Sequence, residues 1–334
     1  MYHYYDGGGV EVNGPALLVR KSFAEKISVN ASRYVDSVSS ASVDVVTTAS
    51  PFKETRTEHR GGVEYLDGNS IIGISITRSH EPDYSADSTG ISVAHELFGG
   101  MTTVSLGYIQ GEDDVLKAGT SFQDKVERQQ YRLGVSQILM RNVVASLNYE
   151  ATSEEGFLNS PYRSARVLTA FVPERYPRTR NGRAIALRAI MAINATDGKP
   201  TSALGVGTRF FSDSWQVEAN DFDVSYRRYF PRNWLGEVFF RHYGQKAASF
   251  YRDNFPTDFE FMARDKELST FTNNTVGVKA TWNFCGGSQS DWRCGLSFSV
   301  SRMRFEYDDF TDLRTGRLLS FDANVANVFV SLWY

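Results

Sequence analysis

Between residue 27 and residue 334 segment after segment puts an apolar side chain at every second place, and this period of two constrains the fold more than any other feature. Ile72, Ile74 and Ile76 alternate with Gly73, Ser75 and Thr77. Val104, Leu106 and Tyr108 alternate with Thr103, Ser105 and Gly107. Val276, Val278, Ala280, Trp282 and Phe284 repeat the pattern near the end. In an extended strand successive side chains point to opposite faces, so each segment has one greasy face and one rich in Ser, Gly, Asn and charge. A soluble sandwich also alternates, but its polar faces point outward around a dry core. Here the segments are about as long as the 9–11 residues with which a tilted strand crosses a bilayer.

The connections alternate as well. One set is tight, at Ala24-Glu25, Gly68-Asn69, Gly99-Gly100, Arg141-Asn142, "DGKP" (196–199) and "PRN" (231–233), where Gly and Asn supply the positive φ of short hairpins. The other set is mostly longer, polar and acidic, at 39–55, 79–87, 113–125, 156–180, 251–270 and 309–319. Short turns on one rim and long loops on the other predict an all-β transmembrane antiparallel up-and-down barrel. The segments from 14–23 to 320–334, plus a short first strand within 1–6 demanded by parity, give about sixteen strands, with fourteen as the alternative. Residues 1–334 are expected to form this single domain.

Composition narrows the partners. Net charge is −3 and the isoelectric point about 6.0, so no basic excess points to nucleic acid. Mean hydropathy is −0.34, and no run approaches the ~18 apolar residues of a membrane helix. The start, "MYHYYDGG", lacks the charged and apolar regions of an export signal, so the expectation is that a leader has been removed. Cys285 and Cys294 bracket a short loop without metal or CxxC spacing. Parity puts that loop on the short-turn, periplasmic rim, where a disulfide would be worth about 2–3 kcal/mol; two free thiols are the alternative.

The last strand, "NVFVSLWY", carries Val328, Val330, Leu332 and Tyr334 on one face. It resembles the C-terminal assembly signal of Gram-negative outer-membrane proteins, in which a terminal aromatic residue follows alternating apolar ones. In that class the barrel assembly machinery reads this strand, which then pairs with the first. The chain also resembles, more specifically, an uncharacterised proteobacterial outer-membrane family of unknown function. The similar stretches are "YYDGGGVEV" (4–12), "VDSVSSASVDVVTTASP" (35–51), "TTVSLGY" (102–108) and "YRLGVSQIL" (131–139). Further along they are "LNYEATSEEGFLNSPYRS" (147–164), "YPRTR" (176–180) and "ARDKELSTF" (263–271). The resemblance implies a bacterial outer-membrane location and brings no established activity or cofactor. Members tend to be encoded beside thioredoxin-like proteins and small lipoproteins, which implies a periplasmic partner of one of those kinds.

With apolar faces against lipid, charges on the opposite faces line the interior. On that phase lie Arg20, Arg60, Arg132, Arg188, Arg209, Arg227, Arg241 and Lys279, with Glu64, Glu150, Asp223 and Glu237 among them. Arginine and carboxylate ladders set a field across a pore in a porin-like channel, and they equally serve as a salt-bridge network that plugs a barrel acting as scaffold or receptor. The long loop 156–180 carries Arg163, Arg166, Arg175, Arg178 and Arg180, which would narrow the pore and attract anions if folded inward, or bind surface lipid if not. Arg33 breaks the phase by sharing the face of Ile27, Val29 and Ala31, which predicts a snorkelling position at the outer headgroup rim or a bulge. "ARDKELSTF" reads as a structural knot of charges. Asp113, Asp114, Asp308 and Asp309 are weak calcium candidates without EF-hand spacing. Surface hydrolysis would have to use a histidine such as His80 beside Glu81, Asp83 and Asp87, and no GxSxG motif accompanies it. The chain is therefore expected to be a channel and not an enzyme, with no cofactor and no metal.

Overall fold

The computed structural model describes residues 1–40, 52–194, 200–285 and 292–334. The first strands are β1 (Tyr2–Gly7), β2 (Val10–Phe23), β3 (Ile27–Ser40), β4 (Phe52–Asp67), β5 (Ser70–His80) and β6 (Tyr84–Leu97). β7 (Thr102–Leu116), β8 (Gln123–Met140) and β9 (Val143–Gly156) follow, then a small hairpin of β10 (Ser164–Val167) and β11 (Ala170–Pro173). β12 (Thr179–Asn194), β13 (Pro200–Asp213), β14 (Glu218–Phe230) and β15 (Trp234–Gln245) come next. The last are β16 (Phe271–Cys285), β17 (Arg293–Asp312) and β18 (Arg317–Trp333).

All but β10 and β11 join one closed antiparallel barrel of sixteen strands. Each strand pairs with its neighbours in sequence, and β9 pairs directly with β12 across the hairpin. The short first strand that parity demanded is β1. It closes the barrel by pairing on one side with β2 and on the other with β18, where Tyr2 faces Val328. Closure leaves no open sheet edge, so the backbone amides are bonded within the sheet, as a span through hydrocarbon requires.

The outside of the barrel is greasy. Ile76 is 62% exposed, Ile74 57%, Val276 60% and Leu106 58%, whereas the polar residues between them are mostly half-buried on the other face. A soluble protein does not leave such a belt bare. Aromatic pairs stand at its borders: Trp234 stacks on Trp282 at 5.8 Å near the short-turn rim, and Tyr108 lies against Tyr131 at 5.1 Å further up. The protein is an outer-membrane β-barrel, placed by that belt in the bacterial outer membrane.

The tight turns keep their expected places, but not only Gly and Asn supply the positive φ. Ala24, Glu25, Phe98 and Arg232 take it up beside Gly68, Gly99 and Asn233, while neither Arg141 nor Asn142 does. Three segments expected as long loops are largely strand: only 81–83, 117–122 and 313–316 lie between strand ends. Above the membrane both faces of a strand meet water, so pairing continues where alternation has already stopped. The segments 157–178 and 246–270 remain long and keep the rim asymmetry. The expected loop at 41–51, the "DGKP" turn and the interior of the cysteine loop lie outside the described residues.

The long segments pack together at the mouth. Tyr176, Trp215, Phe250, Tyr251, Leu268 and Phe310 are buried there in one core, backed by Phe211, Phe271, Phe305 and Phe321 of the barrel wall. Trp215 meets Phe250 edge-on at 5.1 Å and Tyr176 at 5.5 Å, a geometry that favours aromatic contacts. A second cluster of Ala165, Phe255 and Met262 joins the β10–β11 hairpin to segment 246–270.

Candidate functional site

The inward face of the barrel holds charges bonded from strand to strand. Glu150 on β9 takes Arg132 of β8 at 3.4 Å and Arg209 of β13 at 3.7 Å, thereby linking three strands. Arg188 pairs with Asp223 at 3.4 Å, Arg227 with Glu237 at 3.0 Å and Arg20 with Glu64 at 3.5 Å. Arg241 turns to Asp221 at 2.9 Å, although Asp223 is its partner in the strand register. Lys279 stands opposite Glu237 in the register, and Arg60 opposite Thr77. Most of these guanidinium groups remain about half exposed, so each pair adds well under ~1 kcal/mol of stability. Their main physical effect is to hold charges of both signs in fixed positions along the inward face.

The alternation also held inward residues that sequence reasoning did not single out. Arg56 bonds Glu58 at 3.0 Å and approaches Glu81 at 3.8 Å. Arg128 bonds Asp113 at 2.7 Å and Glu154 at 3.2 Å, while the Tyr84 hydroxyl donates to Asp113. Both arginines share the phase of neighbours already assigned inward, Arg56 with Arg60 and Arg128 with Arg132, so parity alone would have found them. Asp113 is thus committed to protein partners and is not a free calcium ligand. Among the described residues, Glu54, Glu81 and Asp83 form the one group of acids close enough together to share an ion. Nothing in the sequence spacing signals that group, because it joins β4 to the turn between β5 and β6.

The basic loop folds onto the mouth with its guanidinium groups engaged. Arg163 pairs with Asp265, and Arg175 with Asp258. Arg178 grips Asp124 through two nitrogens at 2.9 and 3.0 Å. Arg180 bonds Asp213 at 2.7 Å and lies over the Trp215 ring at 4.5 Å. Arg166 donates from Nε to the Leu168 carbonyl. The knot read in "ARDKELSTF" centres on buried Arg264, which bonds Asp253 and the Thr311 carbonyl and lies over Phe310 at 4.4 Å. At the same junction Glu174 is buried and accepts hydrogen bonds from the Tyr176 hydroxyl at 2.7 Å and the Arg264 amide at 2.6 Å. Desolvation, then the nearby Asp265 charge, push the Glu174 carboxyl up to about 7, and burial also raises the Tyr176 hydroxyl.

The remaining sequence candidates sit at the rims. Cys285 and Cys294 are joined as a disulfide on the short-turn rim. Val328, Val330 and Leu332 are exposed along the lipid side of β18, and Tyr334 is exposed just past its end. His80 is exposed at the outer end of β5. Arg33 is exposed on the outward face beside His59, as its phase required.

No curated protein matches the chain. Its likeness to solved structures is one of fold. With OccK2 (OpdF) of Pseudomonas aeruginosa, solved in complex with glucuronate, it shares 8% identity at a TM-score of 0.48, covering 99% of this chain and 95% of that one. With a bacterial polysaccharide outer membrane secretin the identity is 7% and the TM-score 0.49, over 98% and 97% of the two chains. With the siderophore receptor PirA of Acinetobacter baumannii the values are 9% and 0.49, and this chain covers 59% of the receptor. It likewise spans 66% of the length of CdiB from Acinetobacter baumannii. Residues 113–296, more than half of the chain, match the family described as "Protein of unknown function (DUF3570)", and the chain belongs to that family.

Proposed function

We propose that this barrel is a porin-like channel for small hydrophilic solutes, with a bore whose charge is divided between two walls. The observation that carries the proposal is Glu150 shared by Arg132 and Arg209 on the inward face, half-exposed to the bore. The wall of β3–β9 carries an excess of carboxylates, with Asp36, Glu58, Glu64, Asp113, Glu150 and Glu154 against Arg56, Arg60, Arg128 and Arg132. The wall of β12–β16 carries an excess of bases, with Arg188, Arg209, Arg227, Arg241 and Lys279 against Asp221, Asp223 and Glu237. Opposed walls of this kind orient a dipolar solute across its path. The mouth loops narrow the entrance by packing, because the charges of Arg163, Arg175, Arg178 and Arg180 are already matched by acids. In this reading residues 1–334 are one domain, and Val328, Val330, Leu332 and Tyr334 serve the assembly machinery.

The aromatic core at the mouth supports a second reading, a plugged barrel that acts as scaffold or receptor for a periplasmic lipoprotein or thioredoxin-like protein. Single-channel recording in planar bilayers separates the two. The channel reading expects discrete conductance steps from the wild type. A wild type that stays closed, and conducts only after segment 246–270 is shortened, supports the plugged barrel.

A further inference from the structure

The outward face of β3–β5 carries an arrangement that the bore does not explain. Arg33, His59 and Arg78 are register partners across three adjacent strands, all exposed and all pointing away from the lumen. At a strand spacing of about 4.8 Å the row is about 10 Å wide. One outward position nearer the membrane lie Ala31, Gly61 and Ile76, and one further lie Val29, Val63 and Ile74 in the apolar belt. The row therefore stands at the border between hydrocarbon and headgroups, on the rim of the long loops. A base at that level is favourable when it meets an anionic headgroup.

Beneath the row the surface is hollow. A depression of about 850 Å³ is lined by Ala31, His59, Gly61, Ile76 and Arg78 at one end and reaches Asp87, Glu112 and Glu127 at the other. Its floor is small without steric need: a Cβ on Gly61 would meet only the Ile76 side chain, at an ordinary 3.7 Å. The charges change sign along the register, for Arg78 is followed by Asp87, Glu112 and Glu127 on β6, β7 and β8. Asp87 binds Arg78 through Nε at 2.6 Å and Nη2 at 3.1 Å, which holds the guanidinium plane still and leaves donors on it unused. Lys125 engages Glu112. An anion is accordingly attracted to the β3–β5 end of the row and repelled from the β7–β8 end.

We infer that Arg33, His59 and Arg78 hold the phosphate of an outer-leaflet phosphoglycolipid, whose acyl chain lies over Ala31 and Gly61. The site is independent of what crosses the bore. The phosphate takes the planar donors of the two arginines and a ring N–H of His59, and the hollow accepts the first methylenes of the chain.

The test uses the whole barrel, purified in detergent and mixed with a diphosphorylated acyl-diglucosamine lipid or its dephosphorylated counterpart. Retained lipid is counted by native mass spectrometry. Loss of two charge-assisted partners should lower retention of the phosphorylated lipid at least about tenfold in the Arg33→Gln/Arg78→Gln variant. Gly61→Leu fills the hollow with the charges intact and should also lower retention, and heat-modified gel mobility shows that both variants are folded. Equal retention of the two lipids by the wild type overturns the site, as does undiminished retention by the arginine variant. Displacement of the lipid by millimolar inorganic phosphate, with Gly61→Leu behaving as wild type, overturns the lipid assignment in favour of a bare anion site.

Discussion

Glu174 accepts the backbone N–H of Arg264 at 2.6 Å across ninety residues of chain, and this contact joins the two long segments over the mouth. The groups around the carboxylate are Tyr176, Asp265, Arg163 and Arg264. Because its folded pKa is raised from 4.5 to about 7, protonation favours the docked state. The stabilisation is complete below the ordinary Glu value and is lost as the pH rises through about 7. Over that window the docking weakens by on the order of 3 kcal/mol. Glu174→Gln mimics the protonated acid and should remove the dependence. Hydrogen exchange of amides 248–268, followed from pH 5 to pH 8, should quicken beyond its intrinsic rate in the wild type and not in the variant.

Phe310 is fully buried in the mouth core beneath the Arg264 guanidinium. Phe310→Ala should cost about 3–5 kcal/mol, felt locally because the sixteen paired strands do not depend on that core. The barrel should keep its circular dichroism while segment 246–270 loses protection. In bilayers the mean conductance should rise; an unchanged conductance would mean that the mouth core does not limit flow.

The barrel was legible because lipid imposes a simple rule on every strand it touches. Ile72, Ile74 and Ile76 must face hydrocarbon, and Gly73, Ser75 and Thr77 must not, so the alternation survives in the letters. Even β1, too short to alternate convincingly, followed from parity. The rule stops where the membrane stops. Asp113 and Phe310 lie on strand extensions above it, where the two faces no longer differ, so those stretches read as loops. The β10–β11 hairpin and the mouth core were not legible either, since Ala165 is buried by Phe255 and Met262 and nothing local records that meeting. The lumen charges were readable in phase but not in partner. Arg241 choosing Asp221 over Asp223 is decided by side-chain reach along the strand, which a register cannot give.

The disulfide closes a short loop, with Cys285 and Cys294 nine positions apart and paired in the β16–β17 register. Its effect falls mainly on the unfolded chain, where it removes about 2–3 kcal/mol of loop-closure entropy. The Cys285→Ala/Cys294→Ala variant should unfold in urea with that much less stability. Reductant should bring the wild type to the same value and leave the variant unmoved. Ion conductance should not change, because the bond sits on the rim and not in the bore.

Glu150 is the carboxylate on which the charge balance between the two walls turns. Glu150→Gln keeps the shape of the side chain but leaves Arg132 and Arg209 without their shared counter-ion. Their positive charges then face the bore, where salt screens them only over about 8–10 Å, which is comparable with the distances inside a barrel. The reversal potential in a salt gradient should move toward chloride, by about twofold in the permeability ratio. Arg132→Gln/Arg209→Gln should move it the other way, toward potassium. The opposed pair of shifts matters more than either alone, since a variant that merely distorted the barrel would not reverse sign with the charge removed. Equal selectivity in the wild type and both variants would show that ions do not pass these residues.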